Sequence, residues 1–453
     1  MRRQLIPEQY FDFSEKPTLK VVLEYRQKYE ALSEVLDANP DLLTLAHRDW
    51  ARLLSTSPEG RSGYTSEQLL RALLVMFLEG DSYRDVVIRI DTSEFLRHFV
   101  RLGLKATMDF TFLSKALGAL SPETLAAMNQ VLATSAVATG QIRGEKERLD
   151  STVYETNIHY PTDSSLLWDS FRTLSRHLRQ IQKEFPSLGL DHRFHDKKAK
   201  KLATFIARHA SSKRKKTLRQ VKRHYRLLIA RVRWIHGVGQ TVLAQLQALG
   251  ETAADLAHYL PLVAQIISQA DQRVLQGVQV PADQKLYSLF EEHTELLQRG
   301  KARKPIEFGH KVLLAQTGEK FIHHYQVLPQ RREDVELLAP ALEAHQQLFG
   351  HYPDVLAADK GFYESMEQIH SLQADIRTVA IAKKGRRTAE EEERETTEAF
   401  VLGQRFRAGV EGSISVLKRA FKLGCCLFKG FTHYATSVGL AVLCHNLVLL
   451  TRL

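Results

Sequence analysis

Arg148-Leu149-Asp150-Ser151-Thr152-Val153-Tyr154-Glu155-Thr156 is where the periodicity of the chain changes. The stretch is rich in Thr, Val and Tyr, residues that suit a pleated strand, and it predicts one. Similar signals recur at Lys311 to Gln316 and Phe321 to Val327, and the turn Thr317-Gly318-Glu319-Lys320 between them predicts a hairpin. Asp334 to Phe349 reads as a helix ending at Gly350. Val355 to Ala358 and Ile376 to Ala382 are short apolar runs with helix-compatible sequence between them. The order strand, hairpin, helix, strand, helix, strand, helix predicts an α/β fold in which helices flank a mixed sheet. It becomes continuous only if about residues 160–305 are set aside as an insertion.

Upstream, residues 1 to about 145 read as mostly helical. Ser66 to Phe77 combines helix formers with a dense apolar face, and Thr65 is its expected N-cap, with Gln68 three residues on. Further helices are expected at about Ser82 to Ile90, Ser93 to Val100, Phe110 to Leu120 and, after Ser121-Pro122-Glu123, to about Val137. Helix lengths alone do not specify a helix-turn-helix, so a DNA-binding unit and a plain dimerisation or packing unit both remain open.

The insertion has its own character. From Arg172 to Arg233 there are 20 Lys plus Arg and 3 Asp plus Glu, a local balance of +17 that leaves −6 for the rest of a chain whose total is +11. Runs such as Lys197-Lys198-Ala199-Lys200-Lys201 and Lys213-Arg214-Lys215-Lys216 sit among helix formers and the aromatics Phe194, Phe205, Tyr225 and Trp234. A solvated basic face that binds nothing is the bland reading. So steep an imbalance favours nucleic acid, with Lys213, Arg214, Lys215 and Lys216 as candidate phosphate contacts. The acidic patch Glu390 to Glu398 reads as a solvated loop or helix start.

With 453 residues the chain has room for about two to four structural units and a sizeable core. Its three cysteines, Cys425, Cys426 and Cys444, form no CxxC pair, which excludes a disulfide framework or a cysteine-rich zinc module and suits a reducing cytosol. No continuous apolar segment follows Met1-Arg2-Arg3-Gln4, so a secretory signal is not expected. The longest apolar run, Val438 to Leu450, is about thirteen residues and carries His445 and Asn446; it reads as a buried C-terminal helix, too short to span a bilayer. The expected location is therefore the cytoplasm, with no membrane partner.

Three acids occupy suggestive places. Asp150 lies in the first strand, and Asp359, followed by Lys360-Gly361, ends the run Val355 to Ala358, at the strand end where open α/β sheets place ligands. Glu411 belongs to the amphipathic stretch Phe406 to Lys422. At about 100° per residue, Arg407, Glu411, Lys418 and Lys422 stay within roughly 60° of one another. Val410, Ile414, Leu417 and Phe421 share another face. Carboxylates converging from two strands and a helix suit hard divalent cations, and two such ions about 4 Å apart can drive an in-line displacement at phosphorus. Taken singly each acid has a bland reading: a strand-end Asp as a cap, and Glu411 as an i, i+4 partner of Arg407.

With these motifs in this order, residues from about 145 to 453 resemble the catalytic core of DDE transposases of bacterial insertion sequences, of ISNCY-like type. The matching segments are Leu149-Asp150-Ser151-Thr152-Val153 with Asn157 to Ser164 after it, Ala358-Asp359-Lys360-Gly361-Phe362-Tyr363, and Arg407 to Lys418. The last is close to a Y-(2)-R-(3)-E-(6)-K signature, fitted by Arg407, Glu411 and Lys418 and departed from at Gln404. The resemblance implies an RNase H-like fold over 146–453, interrupted by the basic helical insertion at about 160–305, behind a helical unit over 1–145. It implies Asp150, Asp359 and Glu411 as catalytic metal ligands and Arg407 and Lys418 as DNA contacts. It also implies Mg²⁺ with Mn²⁺ as substitute, terminal inverted repeats and target DNA as partners, and a homodimer in the DNA complex. The insertion lies between the first two acids, whereas other members carry one before the Glu, so its contacts do not carry over.

Other candidates are weaker. His323-His324 and His159 are possible metal ligands, but adjacent histidines on a regular strand point to opposite faces. Asn157 and His159 are placed to support Asp150. Lys383-Lys384-Gly385-Arg386-Arg387 is either a phosphate-contact loop or a solvated turn. No Walker A or GxGxxG pattern supports ATP or NAD. The reading is a DNA transposase; its rivals are an RNase H-like nuclease or resolvase, and a catalytically silent DNA-binding repressor.

Overall fold

The computed structural model describes residues 19–51, 53–54, 63–298 and 304–453. The chain opens with helices α1 (Lys20–Asp37), α2 (Asp41–Trp50), α3 (Ser66–Leu78), α4 (Tyr83–Thr92), α5 (Glu94–Phe99), α6 (Phe110–Ala119) and α7 (Pro122–Ala138). Their starts are chemically marked. Ser82, Ser93, Asp109 and Ser121 each accept a backbone N–H of the first turn. Thr65 and Gln68 exchange bonds of 3.2 and 3.0 Å in a capping box.

The sheet then begins. β1 (Lys146–Thr156) is followed by the helical excursion α8 (Asp163–Glu184), α9 (Asp196–His209), α10 (Lys215–Ala248) and α11 (Ala254–Ala270). The chain returns as β2 (Glu295–Gln298), β3 (Ile306–Thr317) and β4 (Ile322–Val327). After these come α12 (Leu338–Phe349), β5 (Val355–Ala358), α13 (Met366–Gln373), β6 (Thr378–Ile381), α14 (Ala389–Thr396), α15 (Glu398–Ala420), β7 (Cys425–Cys426) and α16 (Phe431–Leu450). β1 is central. It pairs antiparallel with β3 from Glu147↔Thr317 to Glu155↔Gly309, and parallel with β5 from Lys146↔Val355 to Leu149↔Ala358. β4 and β2 extend the sheet beyond β3, and β6 continues it parallel beyond β5. This mixed α/β arrangement is consistent with an RNase H-like core.

Alternation assigns the faces. Leu149, Leu313, Ala315, Leu356, Val379 and Ile381 point to one side, into a core with Leu338, Ala341 and Leu342 of α12 and Ile369 of α13. On the other side Ala357 and Ala380 meet Phe400 of α15, while Tyr154, Val312 and Leu314 join a large core shared with α3, α7 and α16. The N-terminal helices thus pack on the sheet through α16. Asn446 receives the Ile322 N–H at 3.0 Å and donates to Asn129 of α7 at 2.7 Å, and Tyr434 accepts the His310 N–H at 3.1 Å.

Three details differ from expectation. The helix expected from Asp334 begins as a 3₁₀ turn and becomes α-helical only at Leu338. Pro340 accounts for this, since it has no N–H and crowds the carbonyl four residues earlier. β2 falls in the span set aside as insertion and yet belongs to the sheet; Glu295-Leu296-Leu297-Gln298 has no β-branched residue to signal it. The C-terminal helix starts at Phe431, so its 20 residues are long and apolar enough to cross a membrane, but 83% of the apolar window is buried inside the protein.

The excursion has a separate core, built from Phe171, Leu178, Phe194, Tyr225, Leu228, Val232 and Leu260 among others. Phe194 and Tyr225 are thereby core residues rather than surface ones. Lys197, Lys200, Lys201 and the run Lys213, Arg214, Lys215, Lys216 are exposed, the latter four at the turn into α10.

Candidate active site

Asp150 and Asp359 come together because β1 and β5 run parallel in register. Leu149 faces Ala358, so the next residues on the two strands are Asp150 and Asp359. By alternation both fall on the α15 side. Asp359 opens the 3₁₀ turn Lys360–Phe362 yet makes no side-chain capping bond, so the bland reading of a cap does not describe it. Gly361 leaves room here for Asp334: a Cβ would lie 2.5 Å from an Asp334 carboxylate oxygen, which is itself near Lys311, paired with Asp334 at 3.1 Å.

α15 lies across this face at close range. Gly403 permits contact with Ala380, and Gly409 permits contact with the guanidinium of Arg148. Arg148 is buried, donates to Gln316 Oε1 at 2.8 Å and to the Phe406 carbonyl at 3.0 Å, and stacks over the Phe406 ring at 4.9 Å. Burial lowers its guanidinium to about 10. Ser413 donates to the same Gln316 oxygen at 3.1 Å. Gln404, where the signature has Tyr, donates to the carbonyls of Ala380 at 2.5 Å and Ala358 at 3.4 Å, tying α15 to the strand ends beside Asp359.

Arg407 occupies the space between two of the acids. Its guanidinium lies 3.8 Å from Asp150 and 3.5 Å from Glu411. Asp150 is largely covered and accepts the Ser151 N–H at 2.7 Å, whereas the Glu411 side chain is 70% exposed. Glu411 is therefore an i, i+4 partner of Arg407 that also points toward solvent. The acids share one face but are not drawn into a closed ligand set: among the described residues, the trio of His, Cys, Asp or Glu whose ligand atoms all lie within 4.8 Å is a different one, Glu147, His323 and His345.

Lys418 is half-buried and donates to the Val153 carbonyl of β1 at 2.9 Å. Lys422 does not share the helical face assigned to it. The helix stops at Ala420 and Lys422 has φ +62°, so its ammonium turns to the Asp81 carbonyl and the Phe77 ring. The Lys383 to Arg387 turn is partly neutralised by the acidic patch. Lys383 meets Glu391 at 2.8 Å and Arg387 meets Glu395 at 2.7 Å. Glu391 is buried, unlike a solvated loop residue. His159 lies 3.4 Å from Asp169, in the first turns of α8.

The trio Glu147, His323, His345 escaped the strand reading for a geometric reason. The β3–β4 ladder steps from Gln316↔Ile322 to Ala315↔His324, so His323 is skipped and the alternation that separates adjacent histidines is broken. His345, a lone histidine in an apolar helix, carried no signal of its own.

Residues 280–447 match the family model described as a transposase DDE domain, a span that includes Asp359 and Glu411 but not Asp150. Comparison with curated proteins and with solved structures finds no match. Over residues 280–447 the chain is similar to the transposase DDE domain, and that match supports a DDE-family transposase.

Proposed function

We propose that this protein is the transposase of a bacterial insertion sequence, of ISNCY-like type, which cleaves the element ends and joins the freed 3′ hydroxyl to target DNA. The observation that carries the reading is the register of Asp150 and Asp359 on neighbouring parallel strands beneath the helix that bears Arg407 and Glu411. The likeness of residues 280–447 to a transposase DDE domain supports it.

In this reading Asp150, Asp359 and Glu411 hold the divalent ion, Mg²⁺ with Mn²⁺ as substitute. Their donor set fits: carboxylate oxygens are the ligands hard cations prefer, and the exposed Glu411 has the freedom to close on the other two. Two such ions, when bound, activate the attacking oxygen and stabilise the leaving one. The chain's own residues do the positioning. Arg148, Gln316, Ser413 and Gln404 fix α15 on the sheet, so that Glu411 and Arg407 stand over Asp150. Arg407, paired with Asp150 and Glu411, is a proposed contact to a DNA phosphate at the site. Lys418 is a second proposed phosphate neighbour that also fastens α15 to β1 through Val153.

The exposed cations Lys213, Arg214, Lys215 and Lys216 belong to the surface proposed to bind double-stranded DNA, at the inverted repeats or the target. A homodimer is the proposed form in the DNA complex, and the cytoplasm, at the nucleoid, its place of action. The test is a strand-transfer assay with a labelled duplex from the DNA flanking the gene and a supercoiled plasmid target. Joined product in Mg²⁺ is expected. Nicking without joining would favour the nuclease or resolvase, and binding without nicking the repressor.

A further inference from the structure

On the face of the sheet opposite Asp150, three residues from three elements meet in the interior. Glu147 of β1 and His345 of α12 are 0% exposed and His323 of β4 is 4% exposed. Glu147 Oε1 lies 2.9 Å from His323 Nε2, and Glu147 Oε2 lies 3.2 Å from His345 Nδ1. One ligand atom from each falls within 4.8 Å of the other two.

The contacts leave much unsatisfied. Glu147 Oε2 and His345 Nδ1 have only each other, at 3.2 Å, while His323 Nδ1 and His345 Nε2 are buried without a hydrogen-bond partner. So is the hydroxyl of Thr317, the residue paired with Glu147 across the β1–β3 ladder. Native interiors leave few such atoms, and each asks for a reason. Those of His323, His345 and Thr317 lie beside Glu147, walled by the Phe349 ring, whose centroid is 4.6 Å from that of His345 and 5.9 Å from that of His323.

Two imidazoles and a carboxylate are the donors of a borderline cation, in contrast to the all-oxygen set beneath α15. We propose that Glu147, His323 and His345 form a structural binding site for a zinc-class divalent cation. The Thr317 hydroxyl or a water would complete a tetrahedron. The ion would fasten α12 and the β3–β4 hairpin to β1, and the bulge that frees His323 from the ladder is the backbone feature that makes the site. This assignment is independent of the transposase reading, because it concerns the opposite face and a different donor class.

The test uses the full-length protein, stripped with a chelator and dialysed into excess Mg²⁺ so that the all-oxygen acids are occupied. Zn²⁺ is added and bound metal measured by mass spectrometry, with a parallel Co²⁺ titration followed in the visible spectrum. One retained equivalent of Zn²⁺, a Co²⁺ absorption band that Zn²⁺ displaces, and a higher melting temperature with Zn²⁺ are expected. Glu147→Gln and His345→Gln should each weaken binding by about a hundredfold or more, since removing a direct ligand should cost at least as much as removing the outer partner of one. Asp150→Asn should leave it unchanged. Absence of retained Zn²⁺ and of the Co²⁺ band in the wild type would overturn the proposal, whether or not the variants fold. Loss of the ion in Asp150→Asn would overturn it as well, by placing the ion at the other face.

Discussion

The Arg407 guanidinium lies 3.8 Å from the Asp150 carboxylate, reaching down from α15 to the central strand. It supplies positive charge to Asp150 and, at 3.5 Å, to Glu411. Coulomb attraction at about 4 Å is substantial where water is partly excluded. If Asp150 is a metal ligand, as proposed, an ion bound there would compete with Arg407. Arg407→Gln is expected to tighten Mn²⁺ binding to the DNA-free protein by about tenfold, roughly 1.4 kcal/mol, while slowing cleavage. Calorimetric titration with Mn²⁺ checks the first effect; unchanged or weaker binding would mean that Arg407 does not compete with the ion.

Gly403 is a packing requirement. A Cβ at this position would lie 2.4 Å from the Ala380 Cβ, a buried atom on β6 with no rotamer to escape into. Gly403→Ala is expected to destabilise the fold by about 1–3 kcal/mol, the usual range for overpacking, despite the better helix propensity of Ala. Urea unfolding measures it.

The basic excursion should act through charge. Replacing the exposed Lys213, Arg214, Lys215 and Lys216 with Ala leaves up to about four phosphates without a cation, and the slope of log K against log salt should flatten by about 0.9 for each phosphate no longer neutralised. Specific and nonspecific duplexes should weaken alike. An unchanged slope would place DNA on another surface.

His310 makes stability depend on pH. Burial, and then the neighbouring His293, lower its pKa from 6.5 to about 4. The folded state thus holds the ring neutral while the unfolded chain binds a proton below about 6.5. Its contribution is complete above that value and is lost as pH falls toward 4, by up to about 3 kcal/mol at 1.36 per unit. The urea midpoint should therefore drop over this window, and His310→Asn should flatten the drop.

Much of the sheet was legible because local chemistry and tertiary demand agree. The β-branched run at Arg148 to Thr156, the Gly318 hairpin, the Val355 to Ala358 run and the Thr65 cap all appear where the residues direct. What was missed depended on partners distant in sequence. β2 is a strand because β3 offers it an edge. Helical angle puts Lys418 on the face of Arg407 and Glu411 but does not reveal that its four-carbon stem reaches the Val153 carbonyl. The Glu147 cluster needed a bulge and a lone helical histidine, neither of which has a sequence period.

Metal-dependent nicking of a labelled duplex carrying the element end, with binding followed separately by gel shift, tests the site most directly. Wild-type protein should nick in Mg²⁺ or Mn²⁺ and not in chelator. Asp150→Asn, Asp359→Asn and Glu411→Gln should each bind the duplex with unchanged affinity and lose nicking, because only the anionic ligand oxygens are altered. Nicking by Asp359→Asn at near the wild-type rate would contradict the account, since Asp359 and Asp150 are the pair on which the site is built.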